Sequence, residues 1–156
     1  MSALIERLKK EHAEIIDLLL RAKFLDIRSE AGQKMLLESR HRILSHLSEE
    51  DGELYPFLRT KSDDDQELRT NLDYFEEDMK RVTKAAVHFY DRYSAESLKK
   101  AGTSKGIFGR FSRKRPENNV QVHFVQDFEK LYHILLDRIH QEETVLYAAY
   151  EKLILS

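Results

Sequence analysis

The chain has 156 residues, of which 41% are apolar and 35% charged, and a formal net charge of −2. It contains no cysteine, which excludes disulfides, thiolate nucleophiles, iron–sulfur clusters and thiolate zinc sites. Five glycines and two prolines are too few for the turns of a multi-stranded β-sandwich or barrel.

Apolar residues recur at helical spacing in four long stretches, and no stretch has a convincing strand pattern. The predicted helices run from the N-cap Ser2 to about Asp26, from Gln33 to Leu58, from Leu68 to Tyr93, and from Asn118 or Asn119 to Leu153. Four long amphipathic helices with three connections predict an all-α fold, an antiparallel up-down-up-down four-helix bundle. We expect residues 1–156 to form this single domain.

The apolar runs are too short to span a membrane, and the N-terminal residues lack the apolar core of a signal peptide. We therefore expect a soluble, cytoplasmic protein.

Residues 99–118 form a basic, glycine-containing segment between the third and fourth predicted helices. They include seven basic residues, one acid and three of the five glycines. This composition predicts a long mobile loop. A solvated connector is the simpler interpretation; a contact with phosphate or nucleic acid is the alternative.

His12 lies at the centre of the first apolar stripe, one turn from Leu8 and from Ile16. A buried histidine needs a hydrogen-bond partner or a metal ion. Taken alone, it is more simply a hydrogen-bonded core histidine than a ligand.

His46 and Glu50 lie four residues apart on the second predicted helix, so both side chains project to the same side. An imidazole and a carboxylate at this spacing can chelate one divalent ion. A His–Glu pair at the surface is the alternative.

Asp78 and Glu142 lie inside or beside the apolar stripes of the third and fourth helices. Asp78 has the alternative of a solvated acid at the boundary. Glu143 lies at the other edge of its stripe, so the choice between it and Glu142 depends on the helix register. Arg138, four residues before Glu142, has the alternative of a simple intrahelical salt bridge.

Together, all four helices bring metal-competent residues inward or to the flank of the core. Desolvation of charges is costly, so a bundle built only for stability would not carry such a cluster. Nitrogen and oxygen ligands without sulfur suit iron, manganese or zinc.

Three motifs resemble those of hemerythrin-like (HHE cation-binding) domains. Residues 8–12 (LKKEH), followed by Ile15, are similar to the first-helix signature of that family. Residues 46–56 (HLSEEDGELYP) resemble its second-helix motif, and residues 142–147 (EETVLY) resemble the second copy on the fourth helix. The resemblance covers nearly the whole chain apart from the basic segment. It implies a four-helix bundle that holds a non-haem, usually di-iron, centre.

The sequence departs from the family pattern where the third and fourth helices normally present histidine, because Asp78 and Arg138 stand there. Arg138 cannot be a ligand, since its guanidinium stays protonated, but it could place a fixed positive charge where one metal would sit. The resemblance assigns the metal ligands as His12, His46, Glu50 and Glu142, with Asp78 as a substitute ligand.

The resemblance implies a metal-binding protein with one or two non-haem iron ions, with zinc or manganese as other candidates. It would sense oxygen, nitric oxide, redox state or iron, or store iron, and its partners would be the metal ion and a diatomic gas. A metal-free bundle acting as a protein-interaction or regulatory module is the alternative. A di-metal oxidase or peroxidase ranks last, because no separate acid–base pair or substrate pocket is evident.

Overall fold

The computed structural model describes the backbone of residues 2–104 and 116–156 and the side chains of residues 2–99 and 119–156. Every regular element in these residues is helical, which confirms the predicted all-α class. The helices are α1 (Ala3–Lys23), α2 (Glu30–Glu49), α3 (Tyr55–Thr60), α4 (Gln66–Arg92), α5 (Ala95–Ser104), α6 (Pro116–Gln141) and α7 (Tyr147–Leu155).

Two π turns interrupt otherwise continuous helical segments. The first, Glu50–Leu54, joins α2 to α3, and the second, Glu142–Leu146, joins α6 to α7. In each, the amide of the tyrosine that follows donates to the carbonyl of the glutamate five residues earlier. Pro56 lies in the first turn of α3, directly after the first π turn.

Serine side chains cap the starts of the first two long helices. Ser2 Oγ accepts from the amide of Ile5 at 3.2 Å, as the N-cap prediction requires. Ser29, expected in the connection, instead caps α2 by accepting from the amide of Gly32 at 2.9 Å. A side chain at position 32 would collide with the Asp26 carbonyl, so this first turn needs glycine.

The predicted loop at 99–118 requires correction at both ends. Ser94 accepts from the amide of Ser97 at 3.2 Å and caps α5, which continues to Ser104. The described chain is already helical at Pro116, where proline is well suited to a first helical turn. Residues 105–115 of the predicted loop lie outside the described residues.

The apolar stripes of the long helices form one core. Helix α1 packs on α2 and α6, while α4 packs on α2 and α6, so each long helix has two long neighbours. Phe124 of α6 is buried in the core, whereas its neighbour Val125 is only partly buried. None of the helices in the described residues contains an apolar stretch of the length that spanning a bilayer requires.

Candidate metal centre

Four ligand-type side chains from α1, α2 and the two π turns meet in the core. His12 lies in the middle of α1, and His46 in the last turn of α2. Glu50 and Glu142 are the first residues of the two π turns. Each of these residues is at most 5% exposed. They are four of the five residues that the sequence predicts as ligands.

One ligand atom from each of these residues lies within 4.8 Å of the other three. With bonds of about 2.1 Å, two ligands on opposite sides of an ion are about 4.2 Å apart. The four atoms are therefore slightly more widely spaced than in a metal site, and the side chains would have to move inward to bind an ion. This cluster, two imidazoles and two carboxylates, could hold a metal ion.

Two buried atoms of the cluster, His46 Nε2 and Glu50 Oε2, have no hydrogen-bond partner. His46 Nε2 lies 3.2 Å from Glu50 Oε1, but not with the geometry of a hydrogen bond. Buried polar atoms are nearly always paired, and leaving one unpaired costs about 1–3 kcal/mol. A cation between the two side chains would satisfy both atoms.

The outer nitrogen of each imidazole faces a carboxylate. His46 Nδ1 lies 2.7 Å from Glu11 Oε2, and His12 Nδ1 lies 3.2 Å from Glu143 Oε2. Because an ionised carboxylate only accepts, a neutral His46 carries its proton on Nδ1 and turns the lone pair of Nε2 inward, whereas both nitrogens of His12 face carboxylates. Metal-binding histidines usually have such partners, which fix the tautomer and the ring orientation.

Sequence reasoning missed these two carboxylate partners. Glu11 stands directly before His12 in the chain but pairs with His46 of the neighbouring helix. Glu143 was considered only as the alternative to Glu142, whereas the structure uses both. Both contacts join different helical segments. The sequence shows that a glutamate stands next to a ligand residue, but only the packing of the helices decides which histidine it contacts.

Tyr147 closes the cluster on the side of the second π turn. Its hydroxyl donates to Glu50 Oε1 at 2.6 Å and lies 3.2 Å from His12 Nε2. Its ring stacks on the imidazole of His12, with centroids 5.5 Å apart. His12 Nε2 also lies 3.1 Å from Glu142 Oε2. Hydrogen bonds thus hold most of the ligand atoms in place without an ion.

Burial and mutual charge shift the pKa values of the cluster. Burial, reinforced by the Glu142 carboxylate, raises the pKa of Glu50. Burial would also raise the pKa of Glu142, but its hydrogen bond with His12 and the charge of Arg138 lower it. Burial would lower the pKa of His46, yet Glu50 and Glu11 raise it to about 9. The carboxylates therefore attract a proton to His46, and they would attract a metal cation for the same reason.

Asp78, the fifth predicted ligand, lies outside the cluster. Its Oδ2 accepts from Arg138 Nη1 at 3.1 Å, and its Oδ1 accepts from Arg81 Nε at 3.0 Å. Two guanidinium groups thus already neutralise this carboxylate. The structure places Asp78 with Arg138 rather than with the four ligands.

The remaining five histidines of the chain lie at the surface. All five are exposed: His41, His88, His123, His133 and His140.

No family model, curated protein or solved structure matches this chain. The family likeness of the motifs therefore remains a prediction. The functional interpretation depends on the geometry of the buried cluster.

Proposed function

We propose that this protein is a hemerythrin-like metal-binding protein that holds non-haem iron between His12, His46, Glu50 and Glu142. Its role would be to sense oxygen, nitric oxide, redox state or iron, or to store iron, rather than to catalyse a reaction. The proposal includes the antiparallel up-down-up-down bundle, which agrees with the two long neighbours that each long helix has.

The observation that carries the proposal is the pair of unpaired buried atoms, His46 Nε2 and Glu50 Oε2. Buried polar atoms are nearly always paired, so two unpaired atoms on neighbouring side chains are consistent with a site for an ion that would pair them. The carboxylates of Glu11 and Glu143 behind the imidazoles add support, because they orient both Nε2 atoms towards the same point. A two-nitrogen, two-oxygen ligand set suits iron and also accepts manganese or zinc.

The surroundings of the cluster favour a small ligand over an organic substrate. A surface pocket of about 340 Å³ has Glu11 and His46 in its wall. The ligand residues themselves are almost completely buried. Such access suits an ion or a diatomic gas better than a bulky molecule.

One observation favours a metal-free interaction module as the alternative. Glu142 is already ion-paired with Arg138, and Glu50 already accepts a hydrogen bond from Tyr147. Three of the carboxylate oxygens in the cluster thus have protein partners. On this alternative, the polar core would stabilise the fold, and function would reside at the surface.

Elemental analysis after expression in iron-supplemented medium separates the two functions. We expect between about half and two equivalents of transition metal per chain, mostly iron. The His46→Ala/Glu50→Ala variant should lose this metal, because it removes the chelating pair. The matched control is His133→Ala/His140→Ala, which removes two exposed histidines and should keep it.

Two results would contradict the proposal. Metal content near zero in the folded parent would support the metal-free module. Unchanged metal in the His46→Ala/Glu50→Ala variant would place the binding site elsewhere. Circular dichroism of every variant checks that the helical fold is retained.

A further inference from the structure

We infer that the site holds a single metal ion and that the guanidinium of Arg138 takes the place of a second. This inference rests on the proposed function and specifies its stoichiometry. It follows from an internal repeat in the helices, from the contacts of Arg138 and from its charge.

The two π-turn segments repeat one pattern with one difference. In the first, His46 is followed by Glu50 and Tyr55; in the second, Arg138 is followed by Glu142 and Tyr147 at the same spacings. Each glutamate begins a π turn, and each tyrosine follows that turn. Arg138 therefore occupies the position in the second copy that the ligand His46 occupies in the first.

Four groups hold the guanidinium of Arg138 in the core. Nη1 donates to the Phe75 carbonyl at 3.0 Å and to Asp78 Oδ2 at 3.1 Å. Nη2 donates to the Tyr55 hydroxyl at 2.6 Å, and Nε donates to Glu142 Oε1. Four of the five N–H donors of this guanidinium are directed at protein acceptors, so the side chain cannot easily swing aside for an ion.

The two carboxylate oxygens of Glu142 have different partners. Oε1 pairs with Arg138, while Oε2 lies 3.1 Å from His12 Nε2. A metal ion in the cluster would therefore use Oε2, and the guanidinium would keep Oε1. In a two-ion arrangement, a second cation would need the oxygen that Arg138 occupies.

The charge of Arg138 is permanent. The guanidinium of arginine is not deprotonated in proteins, and here it forms an ion pair with the Glu142 carboxylate. Asp78 adds a second carboxylate contact. A second metal ion would have to displace a buried cation that has two carboxylate partners, and like charges this close repel strongly. The carboxylates of Glu142 and Asp78 are thus already neutralised by Arg138, without a second metal ion.

Titration with Co²⁺ under non-oxidising conditions, followed by visible absorption and elemental analysis, tests the stoichiometry. The parent should saturate at one equivalent. The Asp78→His/Arg138→His variant should saturate at two, because it removes the guanidinium and adds two imidazoles. The matched control Asp78→His adds one imidazole but keeps the guanidinium, so it should still saturate at one.

Each alternative result has a separate meaning. Saturation of the parent at two equivalents overturns the inference and leaves the proposed function intact, even if the double variant fails to fold. Saturation of Asp78→His at two also overturns it, because the number of ligands, and not the charge of Arg138, would then set the stoichiometry. Binding of no Co²⁺ by the folded parent overturns the inference together with the proposed function.

Discussion

Tyr147 and Tyr55 occupy equivalent positions, but their hydroxyls have different partners. Tyr147 donates to the buried carboxylate of Glu50, whose other oxygen is unpaired. Without metal, Tyr147→Phe should lower the free energy of unfolding by about 1–3 kcal/mol, because it leaves a buried acceptor without a donor. Urea unfolding in the presence of a chelator measures this change.

Tyr55→Phe is the matched control for that substitution. Tyr55 accepts from Arg138, which keeps its bonds to Glu142, Asp78 and the Phe75 carbonyl. Its loss should cost about 0.5–1.5 kcal/mol. An equal loss of unfolding free energy for both substitutions would show that the hydrogen bond to Glu50 contributes no more to stability than the one from Arg138.

His46 should make the stability of the metal-free protein depend on pH. Burial alone would lower the pKa of this imidazole. Glu11, Glu50 and Glu142 face the ring, and their contacts raise its pKa from 6.5 to about 9. A raised pKa means that the folded state holds the proton more tightly than the unfolded chain. This contribution to stability should be complete below about pH 6.5 and lost as the pH rises to about 9.

Chelator-treated protein unfolded by urea across this pH range tests the dependence. His46→Gln should flatten the curve between pH 6.5 and 9, since glutamine does not titrate. His41→Gln, which changes an exposed histidine of α2, should leave it unchanged. A parental curve that rises with pH in this window would contradict the assignment.

The ligands of the cluster could be predicted because each lies in a helical apolar stripe or on its flank. Periodicity places His12 beside Leu8, and a four-residue spacing places Glu50 on the side of His46. The partners of the imidazoles could not be predicted in this way, because Glu11 and Glu143 reach them from other segments. Asp78 was predicted as a ligand from its position beside the apolar stripe. The structure shows that it accepts a hydrogen bond from the guanidinium of Arg138 instead.

At the scale of elements, α-helical periodicity could not predict the two π turns. Five residues of an α-helix span about 500°, so a glutamate and the tyrosine five later would face about 140° apart. The wider π turn lets Glu50 and Tyr55, and likewise Glu142 and Tyr147, all be buried. The four long helical stretches were predictable, but the π turns that align these pairs were not.

Two glycines of the second helical segment should respond oppositely to alanine. Gly52 lies in the first π turn, with no atom near the place of a Cβ, and the second π turn has no glycine. Gly52→Ala should raise the free energy of unfolding by about 0.5–1 kcal/mol, since it restricts the unfolded chain. Thermal unfolding measures the change, and a loss of stability would indicate that the π turn requires glycine.

Gly32→Ala should have the reverse effect. Its methyl group would collide with the carbonyl of Asp26, which belongs to the turn before α2. The turn or the helix start must move, at a cost of about 1–3 kcal/mol. The same thermal experiment compares the two variants, and a neutral Gly32→Ala would mean that the turn adapts freely.

At the scale of the whole molecule, the four ligands join segments that are distant in sequence. His12 belongs to α1, His46 and Glu50 to the segment around the first π turn, and Glu142 to the second π turn. An ion bound by all four would tie three helical segments together. The unfolded chain offers no such preformed set, so binding energy should become folding energy.

Metal should therefore raise the melting temperature of the protein. With free Zn²⁺ or Fe²⁺ at about 1,000 times the dissociation constant, the folded state gains about 4 kcal/mol. For a chain of this size, that gain corresponds to an increase of about 8–16 °C. Differential scanning calorimetry with and without a chelator measures the shift, and the chelator should reverse it.

The same variants identify the origin of the shift. His46→Ala/Glu50→Ala should show almost no response to metal, because two of the four ligands are gone, whereas His133→Ala/His140→Ala should respond like the parent. The shift should also grow as the pH rises from 6.5 to 9, because His46 must lose its proton to bind an ion. This trend is opposite to that of the metal-free protein, so the two curves should diverge with increasing pH. Parallel curves would mean that the stabilising ion binds away from His46.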